Sequence, residues 1–304
     1  MRILTSLFFL LPGLAMAEMS PELADARQSY LSGDYSEIWG VVQAEAEAGD
    51  PVAQNMLGAA LTTHDGSKGL DYDPEQGLAW YEKAADQGFD KAVYNMALFW
   101  QTDHKGFTAD YNRSRALAEK ATEMGYIHAP NLIADMLYTG KGGPVDHAAA
   151  FEHYSRAAEM GSYVGLRAVG YAYFHGEGVT RDVEQVRHFL DLAVAAGDTR
   201  SIPDLAYLYE GDQGIPADPL RAYTLYRYGV DRGNAKAAFW LASFSVDERF
   251  EGVWRDAIKG YGYCLHALTL GYAADGAEAD CQAMADALGD KEIARGQAFA
   301  KSLQ

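Results

Sequence analysis

The chain has 304 residues, 49% of them hydrophobic, and carries a formal charge of −18 from 43 acidic against 25 basic residues. Acidity on this scale repels phosphate backbones and anionic lipid, which sets nucleic acid aside as a partner. The apolar share is that of a chain able to fold.

The first segment departs from the rest. Met1-Arg2 precedes an apolar run over residues 3–11, a break at Pro12-Gly13, and Ala15-Met16-Ala17 ahead of Glu18. That order predicts a secretory signal peptide over residues 1–17 and a mature protein that is periplasmic or secreted. The run is too short to span a bilayer, so no membrane insertion is expected after cleavage. No cysteine follows the cleavage point, which argues against a lipid anchor there.

Residues 18–49 form a predicted partial repeat that caps the N-terminal end. A helix over 21–31 is turned by Ser32-Gly33-Asp34, and a second helix returns over 35–48, with Asp34 at its start.

From residue 50 to 271 one frame recurs six times. An Asp stands fifteen residues before a Gly at Asp73/Gly88, Asp110/Gly125, Asp146/Gly161, Asp182/Gly197, Asp218/Gly233 and Asp256/Gly271, with Asp34/Gly49 ahead of them. Steps between successive glycines are 39, 37, 36, 36, 36 and 38 residues, the spacing of stacked two-helix repeats. The Asp is a helix N-cap and the Gly supplies the left-handed turn that ends the helix. Pro74 and Pro219 suit the first helical position, and Gln76 stands where a capping box wants it. Nine residues after each glycine comes a small residue, Gly58, Ala97, Ala134, Gly170, Ala206 or Ala242, always preceded by an apolar one. This predicts a first helix whose small residue admits a close neighbour, a Gly-containing loop, and a capped second helix.

The loops invite other chemistry and do not sustain it. Asp65, Asp71 and Asp73 lack the alternate spacing of a calcium loop. Gly140-Lys-Gly-Gly143 has no Ser or Thr after its Lys, so it is an inter-helix loop and not a phosphate cradle. The sixth copy, 234–271, replaces this loop with Val246-Asp-Glu-Arg-Phe-Glu-Gly-Val. Residues 272–304 predict two capping helices, over 277–288 and 291–303, the second started by Asp290.

Cys264 takes the inward column that Tyr81, Tyr154, Leu190 and Tyr226 hold in other copies, and Cys281 lies across the next turn. In an oxidising compartment the expected state is a disulfide stapling the C-terminal cap, the alternative being two buried thiols.

The segments Ala134-Asp-Met-Leu-Tyr-Thr-Gly-Lys-Gly-Gly-Pro-Val-Asp146 and Phe151-Glu-His-Tyr-Ser-Arg-Ala-Ala-Glu-Met-Gly161 resemble the SEL-one-like repeat (SLR) family, relatives of the tetratricopeptide repeats. Phe174-His-Gly-Glu-Gly-Val-Thr-Arg-Asp182 and Trp80-Tyr-Glu-Lys-Ala-Ala-Asp-Gln-Gly88 match as well, and the resemblance covers about residues 34–271. It implies an all-α, right-handed α-solenoid of antiparallel helix pairs. It also implies a role in envelope signalling, secretion or complex assembly, and the function expected for the chain is a binding scaffold or regulator of the bacterial envelope, without enzymatic activity or a cofactor.

Nothing local indicates catalysis. His64, His104, His128, His147, His153, His175, His188 and His266 are scattered, without a His-Glu-x-x-His pair. No Gly-x-Ser-x-Gly elbow occurs. Two readings compete with the scaffold: a protein binding or hydrolysing cell-wall peptides, and a secreted host-interaction factor. The relatives discussed for the first are cysteine-rich, and this chain has two cysteines.

By resemblance to the tetratricopeptide groove, two columns flank the apolar residue of each first helix. The first is Asn55, Tyr94, Asn131, Arg167, Pro203 and Phe239; the second is Ala59, Leu98, Asp135, Tyr171, Tyr207 and Ser243. The expected contacts for a protein or peptide on the concave face are Asn55, Tyr94, Asn131, Asp135, Arg167, Tyr171, Tyr207 and Phe239, rich in the residue types of interface hot spots. Asn131 and Asp135, four apart, are expected to receive a peptide backbone. The alternative is that the rings pad neighbouring repeats.

Overall fold

A computed structural model describes residues 19–35, 37–63, 69–211, 213–250 and 255–303. The predicted signal peptide, His64 and Asp65 lie outside the described residues, as does part of the sixth loop. Among the described residues there are sixteen helices, and none is long and apolar enough to cross a membrane. The fold is an all-α repeat solenoid, as expected.

The chain divides into two compact units, residues 1–126 and 127–304. The first holds α1 (Pro21–Ser32), α2 (Trp39–Ala48), α3 (Pro51–Leu61), α4 (Pro74–Asp86), α5 (Asp90–Phe99) and α6 (Tyr111–Glu123). The second holds α7 (Ala129–Thr139), α8 (His147–Glu159), α9 (Tyr163–His175), α10 (Val183–Ala195), α11 (Ser201–Leu208) and α12 (Pro219–Val230). It continues with α13 (Ala235–Val246), α14 (Ala257–Thr269), α15 (Ala277–Asp286) and α16 (Asp290–Ser302). Within each unit every helix packs on the next, apart from α15 and α16, where α16 returns to pack on α14.

The recurring Asp does more than start a helix. Its carboxylate accepts an N–H of the first turn at Asp73, Asp110, Asp146, Asp182, Asp218 and Asp256. Its own N–H donates to the end of the preceding helix, for example Asp73 to the Leu61 carbonyl and Asp218 to that of Tyr209, at 2.9 and 2.8 Å. One residue therefore satisfies orphan groups on both helices of a pair. The recurring Gly adopts positive φ, from 68° at Gly233 to 105° at Gly49. The residue after it then bonds back to the helix, as Ser162 N–H does to the Ala157 carbonyl at 2.9 Å, which is the Schellman closure.

The small-residue column is where the paired helices meet. A Cβ on Gly58 would stand 2.6 Å from the Tyr81 ring, and one on Gly170 would stand 3.2 Å from Leu190. Tyr81, Leu190, Tyr226 and Cys264 are buried, so that column faces the core as predicted, with Tyr154 half-buried. Phe99 and Trp100 are core residues as well. Cys264 and Cys281 form a disulfide that ties α14 to α15, with Cα atoms 5.6 Å apart.

Three expectations at the ends are corrected. Asp34 does not cap a helix: α2 begins at Trp39 after Ile38, which makes no side-chain cap bond. The Tyr35 ring turns back between Tyr30 and Trp39, and the Asp34 N–H instead closes α1 on the Ser29 carbonyl. Asp290 is the first residue of α16 and not its cap, because Glu292 reaches back to the Gly289 N–H at 3.0 Å. The predicted capping box at Asp73 shows the Asp73 half of the exchange, to the Gln76 N–H at 3.0 Å.

Candidate functional site

The predicted contact residues fall into two groups. Asn55 and Tyr94 belong to the first unit, where Asn55 is buried and accepts from the Asn95 amide at 2.8 Å. Tyr94 lies against Tyr126, ring centroids 4.7 Å apart. In the second unit Asn131 is buried and donates to Ser162 Oγ at 2.9 Å, and Arg167 donates to both oxygens of Asp198 at 2.8 and 2.7 Å. Pro203 is buried in the first turn of α11, and Phe239 stacks on Tyr272 at 4.5 Å. Within each unit, Asn55, Tyr94, Asn131, Arg167 and Phe239 thus each meet a residue of the segment that follows their own repeat.

The second column is more open. Asp135 accepts from the Tyr154 hydroxyl at 2.6 Å, and desolvation holds its carboxyl above the ordinary range. Tyr171, 36% exposed, donates to Asp204 at 2.5 Å. Burial and the neighbouring carboxylate push its phenol well above the usual tyrosine value. Tyr207 accepts from Gln213 at 3.0 Å and packs edge-on against Trp240, centroids 5.1 Å apart.

Tyr171, Tyr207 and Phe239 stand on α9, α11 and α13, while Asp135 stands on α7. Asp204 is the hinge point, taking the Tyr171 hydroxyl from one side and Lys236 Nζ from the other, the latter at 2.6 Å. Two cavities adjoin here. The smaller, about 280 Å³, lies among Tyr171, Phe174, Leu190, Tyr207 and Trp240, with Asp204 and Lys236 also in its lining. The larger, about 420 Å³, is lined by Tyr207, Phe239, Trp240 and Phe244 together with Glu210, Asp247 and Arg249. Tyr207 and Trp240 are common to both. Concave, ring-lined hollows with a few fixed polar groups are what a binding site requires.

Sequence reasoning located Tyr171, Tyr207 and Phe239 but passed over Asp204, Lys236, Trp240, Glu210 and Arg249. Asp204 and Trp240 share the seventh position after the repeat glycine, a column also holding Met56, Asn95, Leu132 and Ala168. No common residue type marks that column, so its exposure is legible only from packing.

Among the described histidines, several pack on nearby rings and hydroxyls. His104 stacks on Phe99 at 3.9 Å and meets the Tyr72 hydroxyl at 3.0 Å, while His128 pairs with Ser162 Oγ. His266 is buried, and desolvation lowers its pKa. Among the described residues no group of His, Cys, Asp and Glu could hold a metal ion.

The Sel1 repeat family model matches residues 51–89, 90–126, 129–162, 164–198 and 204–234. The sixth predicted copy, 234–271, lies outside these stretches but for its first residue, yet keeps its helix pair and its Asp cap. Among solved structures the chain is similar to a protective antigen of uropathogenic Escherichia coli strains that displays an SLR fold. Identity is 25%, the TM-score 0.65, and the match covers 93% of this chain and 60% of that one. A Sel1 repeat protein from Oxalobacter formigenes shares the fold at 24% identity and TM-score 0.63, over 93% of this chain and 100% of that one. The HRD3A component of an ERAD-associated E3 ubiquitin-protein ligase from Arabidopsis thaliana is 27% identical over 144 residues, 43% of this chain. This chain spans about a fifth of that relative's length, 21%.

Proposed function

The chain belongs to the Sel1 repeat family, and from that premise we propose that it is a non-enzymatic scaffold or regulator of the bacterial envelope. In this reading it holds a protein or extended peptide along the exposed face of α9, α11 and α13. The observation that carries it is the pair of adjoining hollows sharing the Tyr207–Trp240 wall. Rings packed on one flank and open on the other are the anchors from which interfaces draw most of their binding energy.

Two further facts support the reading. The relative from Arabidopsis thaliana is named as a component of a larger assembly, a role played by binding. The Cys264–Cys281 bond and the leader-type pattern of residues 1–17 favour an oxidising compartment outside the cytoplasm. Arg167, Tyr171, Tyr207 and Phe239 would contribute to this face, Asp135 would contribute from α7 in the same unit, and Asn55 and Tyr94 from α3 and α5 in the first unit. Asn131, being buried, would act by orienting its neighbours.

The test is a photo-crosslinking residue placed at exposed Ser243 on this face or at Leu220, 60% exposed at the start of α12. Intact cells are irradiated and the adducts identified. The proposal expects one dominant protein adduct from position 243 and not from 220. Equal adducts from both positions would place the contact surface elsewhere.

A further inference from the structure

The two hollows differ in chemistry, and the smaller one carries a donor and an acceptor side by side. Its floor is Val186, Leu190 and Leu208, each 1% exposed, and the rings of Phe174, Tyr207 and Trp240 stand around it. Into this apolar bowl three successive repeats each send one polar group. Tyr171 comes from α9, Asp204 from α11 and Lys236 from α13. Asp204 lies in the first turn of its helix, where the helix dipole favours a carboxylate.

These groups are paired with one another without being used up. Asp204 accepts the Tyr171 hydroxyl on Oδ2 at 2.5 Å and Lys236 Nζ on Oδ1 at 2.6 Å. A carboxylate offers about four lone-pair sites, so acceptor capacity remains. Among the described residues, Lys236 Nζ donates that one hydrogen bond and otherwise lies over the Trp240 ring, 4.6 Å from its centroid. An ammonium carries further N–H groups, so donor capacity remains too, on an arm 40% exposed. The permanent charges of Asp204 and Lys236 cancel. An ionised side chain entering the bowl would lose its water with no net charge to offset the loss, which selects an uncharged occupant.

We infer that the smaller hollow is a site for the side chain of a tyrosine presented by the partner. Its ring packs among Phe174, Tyr207 and Trp240, and its hydroxyl accepts from Lys236 Nζ while donating to Asp204. Among uncharged ring side chains a phenol does both from a single atom, whereas phenylalanine does neither and tryptophan only donates. Tyr171 already makes the donating half of that exchange within the chain. Size agrees: an apolar cavity of about 150 Å³ holds benzene. The hollow, about 280 Å³, has room for a phenol with its methylene. The inference rests on the proposed role of this face and names the side chain that the face selects.

The test uses whole purified protein and four blocked pentapeptides. The first is Ser-Ala-Tyr-Ala-Ser; the others carry phenylalanine, O-methyltyrosine or glutamate at the centre. The readout is the indole N–H resonance of Trp240, identified by its loss in Trp240→Phe. The tyrosine peptide should shift it at millimolar concentration. The phenylalanine and O-methyltyrosine peptides should bind about tenfold more weakly, the worth of one hydrogen bond to a charged group. O-methyltyrosine can accept from Lys236 but cannot donate to Asp204, so it isolates that bond. Asp204→Asn removes the charged acceptor and should cut the preference for tyrosine over phenylalanine to about threefold or less, a ratio read on one protein and so insensitive to its stability. Equal binding of the tyrosine peptide and either close analogue, preference for glutamate, no shift with any peptide, or an unchanged preference in Asp204→Asn would each overturn the inference. Partner capture that depends on Tyr207 while the peptides ignore the hydroxyl leaves the docking face standing and removes the tyrosine site. Capture indifferent to Tyr207 removes the face, whatever the peptides do.

Discussion

Arg167→Met tests whether the first column joins repeats together. One guanidinium nitrogen, Nη1, reaches both oxygens of Asp198, 2.8 and 2.7 Å away. Arg167 keeps 13% and Asp198 3% of its side chain exposed. Ser201 Oγ donates to the same carboxylate at 2.7 Å. Removing the guanidinium leaves a withdrawn carboxylate with one hydroxyl donor, and breaking a buried pair from one side costs about 3–5 kcal/mol. Arg200, 70% exposed and 3.9 Å from Asp198, can move closer and offset part of that. The expectation is accordingly the low end, about 3 kcal/mol, or roughly 6–12 °C in Tm for a chain of this size. Arg167→Met with Asp198→Leu exchanges the pair for apolar groups and should recover most of the loss. Urea unfolding followed by far-ultraviolet circular dichroism measures all three variants. Arg167→Met within about 0.5 kcal/mol of the parent, the ordinary range for surface changes, would refute the reasoning.

Other consequences are open to measurement. Gly58→Ala places a Cβ 2.6 Å from the Tyr81 ring and should destabilise by about 1–3 kcal/mol, whereas Gly170→Ala, 3.2 Å from flexible Leu190, should cost less. The reverse order in urea midpoints would show that the small-residue column does not set the helix approach. Reducing the Cys264–Cys281 bond, which closes a separation of 17 residues, should lower stability by about 3 kcal/mol. Two reactive thiols in denatured but unreduced protein would show that the bond does not form. Burial raises the phenols of Tyr81, Tyr154, Tyr171 and Tyr226, and pushes Tyr30 up to about 12. Each folded-state value lies above the unfolded one, so their contribution is full below the unfolded value of about 10 and is lost as pH rises above it. Ultraviolet titration should find these tyrosines protonated at a pH where free tyrosine has ionised, with unfolding favoured as pH climbs. Simultaneous ionisation of every tyrosine near 10 would contradict the assigned burial.

Much of the architecture was legible because each repeat writes its boundaries twice. The cap Asp and the turn Gly act through local backbone geometry, which survives any change of neighbours, and the six copies after Asp34 behave alike. Asp34 misled because the same spacing there is overridden by packing of Tyr35 on Tyr30 and Trp39. The docking face was only half legible. Counting from the glycine found Tyr171 and Tyr207, since exposure on a helix follows its period. It did not reveal that Arg167 is taken by Asp198, or that Asp204 joins Tyr171 to Lys236, because those partners sit 31 to 33 residues away in sequence. Arg249 was hidden for another reason: its segment departs from the repeat, and no period applies to it.

The central claim is that the shared Tyr207–Trp240 wall is where a partner is held. Isothermal titration of the partner identified by crosslinking at position 243 tests it directly, using parent protein, Tyr207→Ala and, as control, Leu220→Ala. The account predicts that Tyr207→Ala raises Kd at least about tenfold, as loss of an aromatic anchor does, with helix content unchanged and Leu220→Ala equal to the parent. Equal affinity of the parent and Tyr207→Ala would contradict it.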